Sequence, residues 1–112
     1  AVNFIEQNYA RNITVEDMAK RCKLDRSYFG KVFKSTVGKS PQEFLIQYRM
    51  TKAAEALTLT NATVGDIGIS VGYPNLLHFS RAFKTVYGIS PREFRQKNKI
   101  VDHRMKDISI ID

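Results

Sequence analysis

Two stretches of this chain carry cations and hydroxyls at spacings suited to holding an anion. The first contains Arg26, Ser27, Lys31, Lys34 and Ser35; the second contains Ser80, Arg81, Lys84 and Thr85. Residues three and four apart meet on one side of an α-helix. Ser27, Lys31, Lys34 and Ser35 therefore share a face, as do Leu77, Arg81, Lys84 and Thr85, flanked by His78 and Ser80. Such faces donate hydrogen bonds to phosphate oxygens. An arginine can also donate two bonds to the O6 and N7 edge of guanine, a lysine can approach the same edge less directionally, and a leucine can meet a thymine methyl. Arg81, Lys31 and Leu77 are the candidates for those three roles; Lys34 and Lys84, one turn further on, are candidates for phosphate.

The surrounding charge agrees. Seven basic residues and one acid lie between Lys20 and Lys39, and six basic residues and one acid between Arg81 and Lys99. From Ala53 to Ser80 there is no lysine or arginine. The 112 residues carry a net charge of +7, with a sequence pI of about 9.7, the electrostatic footprint of a nucleic-acid partner. Other chemistries lack their residues. Cys22 is a lone cysteine, which excludes an internal disulfide framework and a multi-cysteine zinc site. His103 has no ligand-like neighbours, and there is no glycine-rich phosphate loop and no His-Glu-x-x-His. No catalytic residue, cofactor or metal is expected. No run of 18 apolar residues could form a transmembrane helix.

The elements that must position these side chains come in duplicate. Residues 38–44 read GKSPQEF and residues 88–94 read GISPREF, and across 26–44 against 76–94 eight of nineteen positions are identical. The pairs include Phe29 with Phe79, Phe33 with Phe83 and Lys34 with Lys84. Further back the offset falls from 50 to 49, pairing Thr14 with Thr63 and Asp17 with Asp66. Helix starts are signalled by a hydroxyl with an acid three residues later at Thr14, Ser40, Thr63 and Ser90. The Asp-containing pairs at 14 and 63 are expected to be the weaker boxes. Asp25 and Asn75 cap a further helix in each copy, and Gly38 and Gly88 end those helices.

The resulting expectation is an all-α fold with seven helices at about 2–9, 15–22, 26–36, 41–58, 64–71, 75–87 and 91–98. In each copy two short helices joined by a tight turn make a helix-turn-helix whose second helix is amphipathic and basic. Phe29, Val32, Phe33 and Thr36 form the inward stripe of one such helix; Leu76, Phe79, Ala82, Phe83 and Val86 form that of the other. The turn has Gly72 in the second copy and Lys23 in the first, where a left-handed backbone would cost about 1 kcal/mol. Subdomain one is placed at about 1–40, the linker helix at 41–58 and subdomain two at about 59–98, with 99–112 a tail. At ~1.5 Å per residue the linker helix spans about 25 Å. With its flanking units it would set two recognition helices in adjacent segments of a major groove that repeats every ~34 Å.

This pattern resembles the DNA-binding domain of the AraC/XylS family of bacterial transcription regulators. The resemblance covers about residues 1–98 and is most specific over Gly72-Tyr73, then Phe79-Ser80-Arg81-Ala82-Phe83-Lys84, then Gly88-Ile89-Ser90-Pro91-Arg92-Glu93-Phe94-Arg95. Arg49, Ala53 and Leu57 resemble the family's connector. It implies two helix-turn-helix subdomains reading an asymmetric double-stranded promoter site. It also implies a cytoplasmic, nucleoid-bound protein, RNA polymerase as a further partner, and a sensor or dimerisation domain elsewhere in a longer parent chain. A start at Ala1, inside an expected helix and without Met, agrees with a piece of such a chain. By position the family's base-reading residues fall on Arg26, Ser27, Gly30, Lys31, Leu76, Leu77, His78, Ser80 and Arg81, with Lys34, Ser35, Lys84 and Thr85 toward phosphate.

The sequence departs from the family at three points. Lys23 replaces the turn glycine, Gly68 stands where alanine is usual, and Gly30 presents no side chain. The turn at Lys23 and Gly30 motivate an alternative from another class, a helical protein-interaction module that has lost DNA binding.

Overall fold

In a computed structural model, which describes residues 1–98, the chain folds into seven α-helices, with no strand among the described residues. They are α1 (Val2–Asn8), α2 (Val15–Arg21), α3 (Arg26–Val37), α4 (Pro41–Leu59), α5 (Val64–Ser70), α6 (Leu76–Tyr87) and α7 (Pro91–Asn98). Each expected helix is present, with ends that shift by at most one residue. The expected tail 99–112 lies outside the described residues. The chain divides into two compact units, 1–49 and 50 onward, with the division inside α4.

In the first unit Ile5, Met18, Ala19, Phe29, Phe33 and Leu45 form the buried core. In the second, Leu57, Ile67, Val71, Phe79 and Phe83 are buried. The repeat is visible in the rings. Phe29 and Phe33 lie 5.7 Å apart and Phe33 meets Phe44 edge-on at 5.7 Å. Fifty residues on, Phe79 and Phe83 are 6.1 Å apart and Phe83 meets Phe94 edge-on at 5.3 Å. Such pairs contribute about 0.5–1.5 kcal/mol each beyond their area burial. The inward stripes are narrower than the helical wheel suggests. Val32 is 40% exposed and Leu76 54%. Leu76 opens the first turn of α6, with no earlier turn of its own helix to cover it.

Both helix-turn-helix turns are the same hydrogen-bonded device. After α2, the Lys23 N–H donates to the Lys20 carbonyl at 3.0 Å and the Leu24 N–H to the Ala19 carbonyl at 3.0 Å. After α5, the Gly72 N–H donates to Ile69 at 3.1 Å and the Tyr73 N–H to Gly68 at 2.8 Å. This six-to-one and five-to-two pair is the Schellman motif, which requires a left-handed residue at its centre. Gly72 has φ +101° and Lys23 has φ +58°. The lysine thus adopts the conformation that a side chain disfavours, because the two bonds and the helix behind it demand it.

The caps hold the helix starts. Asp25 accepts from the Tyr28 N–H at 2.9 Å, and Asn75 from the His78 N–H at 3.0 Å. At Thr14 the box is complete in both directions despite the shorter acid. Thr14 Oγ1 accepts from the Asp17 N–H at 3.1 Å, and Asp17 Oδ2 accepts from the Thr14 N–H at 2.9 Å. Two arginines brace helix ends. Arg49, 9% exposed, donates from Nε to the Tyr9 carbonyl and from Nη2 to the Arg11 carbonyl, both at 2.8 Å. Arg95 donates to the Leu57 and Thr60 carbonyls at 3.2 and 3.3 Å. A cation at a helix C-terminus satisfies orphan carbonyls and complements the helix dipole.

Gly68 has a packing role. A Cβ there would lie 2.9 Å from Cγ and Cδ2 of Phe79, closer than real Cβ atoms come to a ring. In the first unit the matching position is Ala19, 2% exposed. The missing methyl lets α5 approach the buried ring of α6.

Substitutions at three positions test the turn, this contact and an open helical glycine. Lys23→Gly raises unfolding stability by about 1 kcal/mol in urea melts, by relieving the left-handed side chain. Gly68→Ala lowers stability by roughly 1 kcal/mol because overpacking against Phe79 outweighs the gain in helix propensity. Gly65→Ala, where a Cβ meets nothing within 4 Å, raises stability by roughly 0.5–1 kcal/mol.

Candidate nucleic-acid interface

Burying Phe29 and Phe33 turns the other side of α3 to solvent. Arg26, Ser27, Lys31, Lys34 and Ser35 are exposed and Gly30 is half-buried. Arg26, Ser27, Gly30, Lys31 and Lys34 line one open hollow of about 510 Å³, closed on its other side by Val15, Ser40, Pro41 and Gln42. Gly30 is among its lining residues, and a Cβ there would meet nothing within 4 Å. Three cations and two hydroxyls thus surround one concave surface of the first unit. Ser35 is exposed but lies outside this hollow.

Arg26 stands at the first position of α3, where the positive end of the helix dipole disfavours a cation. Glu16, in the first turn of α2, offsets this: its Oε1 lies 3.5 Å from Arg26 Nη1. Sequence reasoning did not single out Glu16. It also passed over Tyr28, which is 56% exposed on α3. Tyr28 lies at the repeat offset from His78, a signal that could have found it.

In the second unit Leu76, Leu77, His78, Arg81, Lys84 and Thr85 are exposed on α6, and Ser80 is half-buried. Arg81 and Lys84 have no acid in the first turn of their own helix. The Thr85 hydroxyl donates to the Arg81 carbonyl at 2.9 Å, so its proton is committed to the helix and its free role is that of an acceptor. The matched positions of the two units carry different chemistry: Arg26 faces Leu76 across the repeat, Ser27 faces Leu77, Gly30 faces Ser80 and Lys31 faces Arg81.

Residues 18–97 match the model of a helix-turn-helix domain family. The lactose operon transcription activator of Staphylococcus xylosus is 43% identical over 95 residues, covering 85% of this chain and 34% of that protein. The chain belongs to the AraC/XylS family. It is a helix-turn-helix DNA-binding domain of the kind found in transcription regulators. Among solved structures, the C-terminal domain of AraT, a response regulator from Geobacillus stearothermophilus, superposes with a TM-score of 0.83 at 32% identity, covering 88% of this chain and 82% of that one. The DNA-binding domain of AdpA, a global transcriptional factor solved with a target DNA, shares the fold at a TM-score of 0.82 and 24% identity, with 86% of each chain covered. This AraC/XylS-type chain spans about a third of the length of the lactose operon activator and of the msm operon regulatory protein of Streptococcus mutans.

Glu16 and Arg26 are each about two-thirds exposed, so their ion pair contributes at most about 1 kcal/mol to stability. Glu16→Gln is expected to leave the urea midpoint almost unchanged while strengthening duplex binding a few-fold at low salt, because one negative charge is removed from beside Arg26. Anisotropy titrations at two salt concentrations measure the difference.

Proposed function

We propose that this domain binds an asymmetric promoter site, with α3 and α6 entering successive major grooves as the base-reading helices. The observation that carries the proposal is the repeated face: on each helix a buried phenylalanine pair turns a cation-and-hydroxyl side outward, at the same repeat offset. In this reading Lys31 and Arg81 donate to base edges, and Lys34 and Lys84 donate to phosphate. Arg26, Ser27, Leu76, Leu77, His78 and Ser80 complete the base-reading set, with Gly30 leaving a gap in it. Ser35 and Thr85 lie beside the phosphates. AdpA's domain, of the same fold, was solved on its target DNA, which supports the duplex as partner.

The remainder of a longer regulator, holding a sensing or dimerising domain, and RNA polymerase are the further partners in this reading, and the protein acts in the cytoplasm on the nucleoid without catalysing a reaction. The interaction-module alternative rested on the turn at Lys23 and on Gly30. The turn keeps both Schellman bonds, and Gly30 opens a hollow lined by three cations, so both features are compatible with duplex binding.

A duplex selected by this chain from a random library tests the assignment. Lys31→Ala and Arg81→Ala each weaken binding by about 1–3 kcal/mol and relax the preference at one base pair. Lys34→Ala and Lys84→Ala weaken all duplexes alike and each lowers the salt slope by about one. Unchanged binding in both base-reading variants would overturn the groove assignment, and retention of the chain by protein partners alone would favour the interaction module.

A further inference from the structure

The first turn of α6 exposes two adjacent leucines, Leu76 at 54% and Leu77 at 57%. Leucine is usually buried, and here the core of the second unit is complete without them, since Leu57, Ile67, Phe79 and Phe83 are each at most 1% exposed. At 100° per residue Leu77 lies directly beneath Arg81, four residues on, and Leu76 lies likewise beneath Ser80. Leu77 and Arg81 share the outward side of α6, and Leu76, about 100° round from Leu77, borders it. The first turn of α3 presents Arg26 and Ser27 instead.

The base-pair edges in the major groove expose one apolar group, the C5-methyl of thymine. Resting on the reading that α6 enters that groove, we infer that Leu76 and Leu77 are a specificity pair that selects thymine methyls beside the guanine read by Arg81. Leu77 and Arg81 are four residues apart, about 6 Å along the helix axis at ~1.5 Å per residue. With strand phosphates ~3.4 Å apart along the duplex, the preferred thymine lies within about two base pairs of the guanine. The half-site facing α6 is therefore defined partly by apolar contact. The half-site facing α3 is defined by Lys31, Arg26 and hydroxyls, and is indifferent to the methyl. Burying one methyl is worth about a fourfold change in affinity.

The test uses the 112-residue chain and a duplex it selects from a random library. The half-site facing α6 is the one whose preference relaxes in Arg81→Ala. Each thymine is replaced singly by deoxyuridine, which removes the methyl and preserves pairing. The expected result is about fourfold weaker binding at one or more positions in the α6 half-site, and less than twofold everywhere in the α3 half-site. In the folded double variant Leu76→Ala/Leu77→Ala, the deoxyuridine effect disappears. Two results would overturn the inference: no deoxyuridine effect in the α6 half-site of the unaltered chain, or an effect that survives loss of both leucines. If the chain selects no duplex at all, the promoter-binding reading itself fails. A selected duplex that ignores the methyls leaves that reading intact and removes only the leucine assignment.

Discussion

Two phenylalanines one turn apart on each recognition helix determine what the rest of the molecule can do. Phe29 and Phe33 are almost fully buried, and so are Phe79 and Phe83. Once those rings are inside, rotation of each helix about its own axis is settled, and with it the side that faces water. Each ring pair also meets a third ring, Phe44 or Phe94, that opens the following helix. The cations reach solvent because the opposite side of the helix has no alternative place to go.

The turn ahead of each recognition helix sets the angle at which it leaves, and the two turns solve one geometric problem with different residues. Glycine at 72 takes the left-handed conformation freely; lysine at 23 takes it against its preference. The same asymmetry recurs where the first helix of the motif meets the second. Ala19 fills its contact, whereas Gly68 leaves room for Phe79 to approach to a distance no Cβ would allow. The units are copies in hydrogen bonding and ring packing but not in detail, and the differences fall where one helix is seated on another or where a side chain reaches outward.

That divergence gives the two units outward faces of unlike chemistry. A hollow lined by Arg26, Gly30, Lys31 and Lys34 offers charge and space. Exposed on α6 are two leucines, an arginine and a hydroxyl. Charge supplies affinity that salt weakens, while directional donors and apolar contacts discriminate between base pairs. The net charge of +7 therefore accounts for the class of partner and leaves its sequence to the few positions at which the copies differ.

Much of this was legible in the residues themselves. The repeat, the caps at Asp25 and Asn75, the turn glycine and the phenylalanine spacing are legible in the sequence, so they placed seven helices and the two exposed basic sides. Tyr28, at the repeat position of His78, was not read as part of the exposed face. What the sequence could not decide depends on residues distant in the chain. The bond from Arg49 to the Tyr9 carbonyl joins positions forty residues apart. The 2.9 Å clearance at Gly68 exists only once α5 and α6 are packed, and the pairing of Glu16 with Arg26 needs α2 folded onto α3. Periodicity put Leu76 inside, since a wheel knows only angles; at the start of α6 it is 54% exposed. The linear order of residues thus determined which helices form and which sides are charged, and tertiary packing decided which apolar side chains remain outside to be read, because burial depends on what covers a residue as well as on where it points.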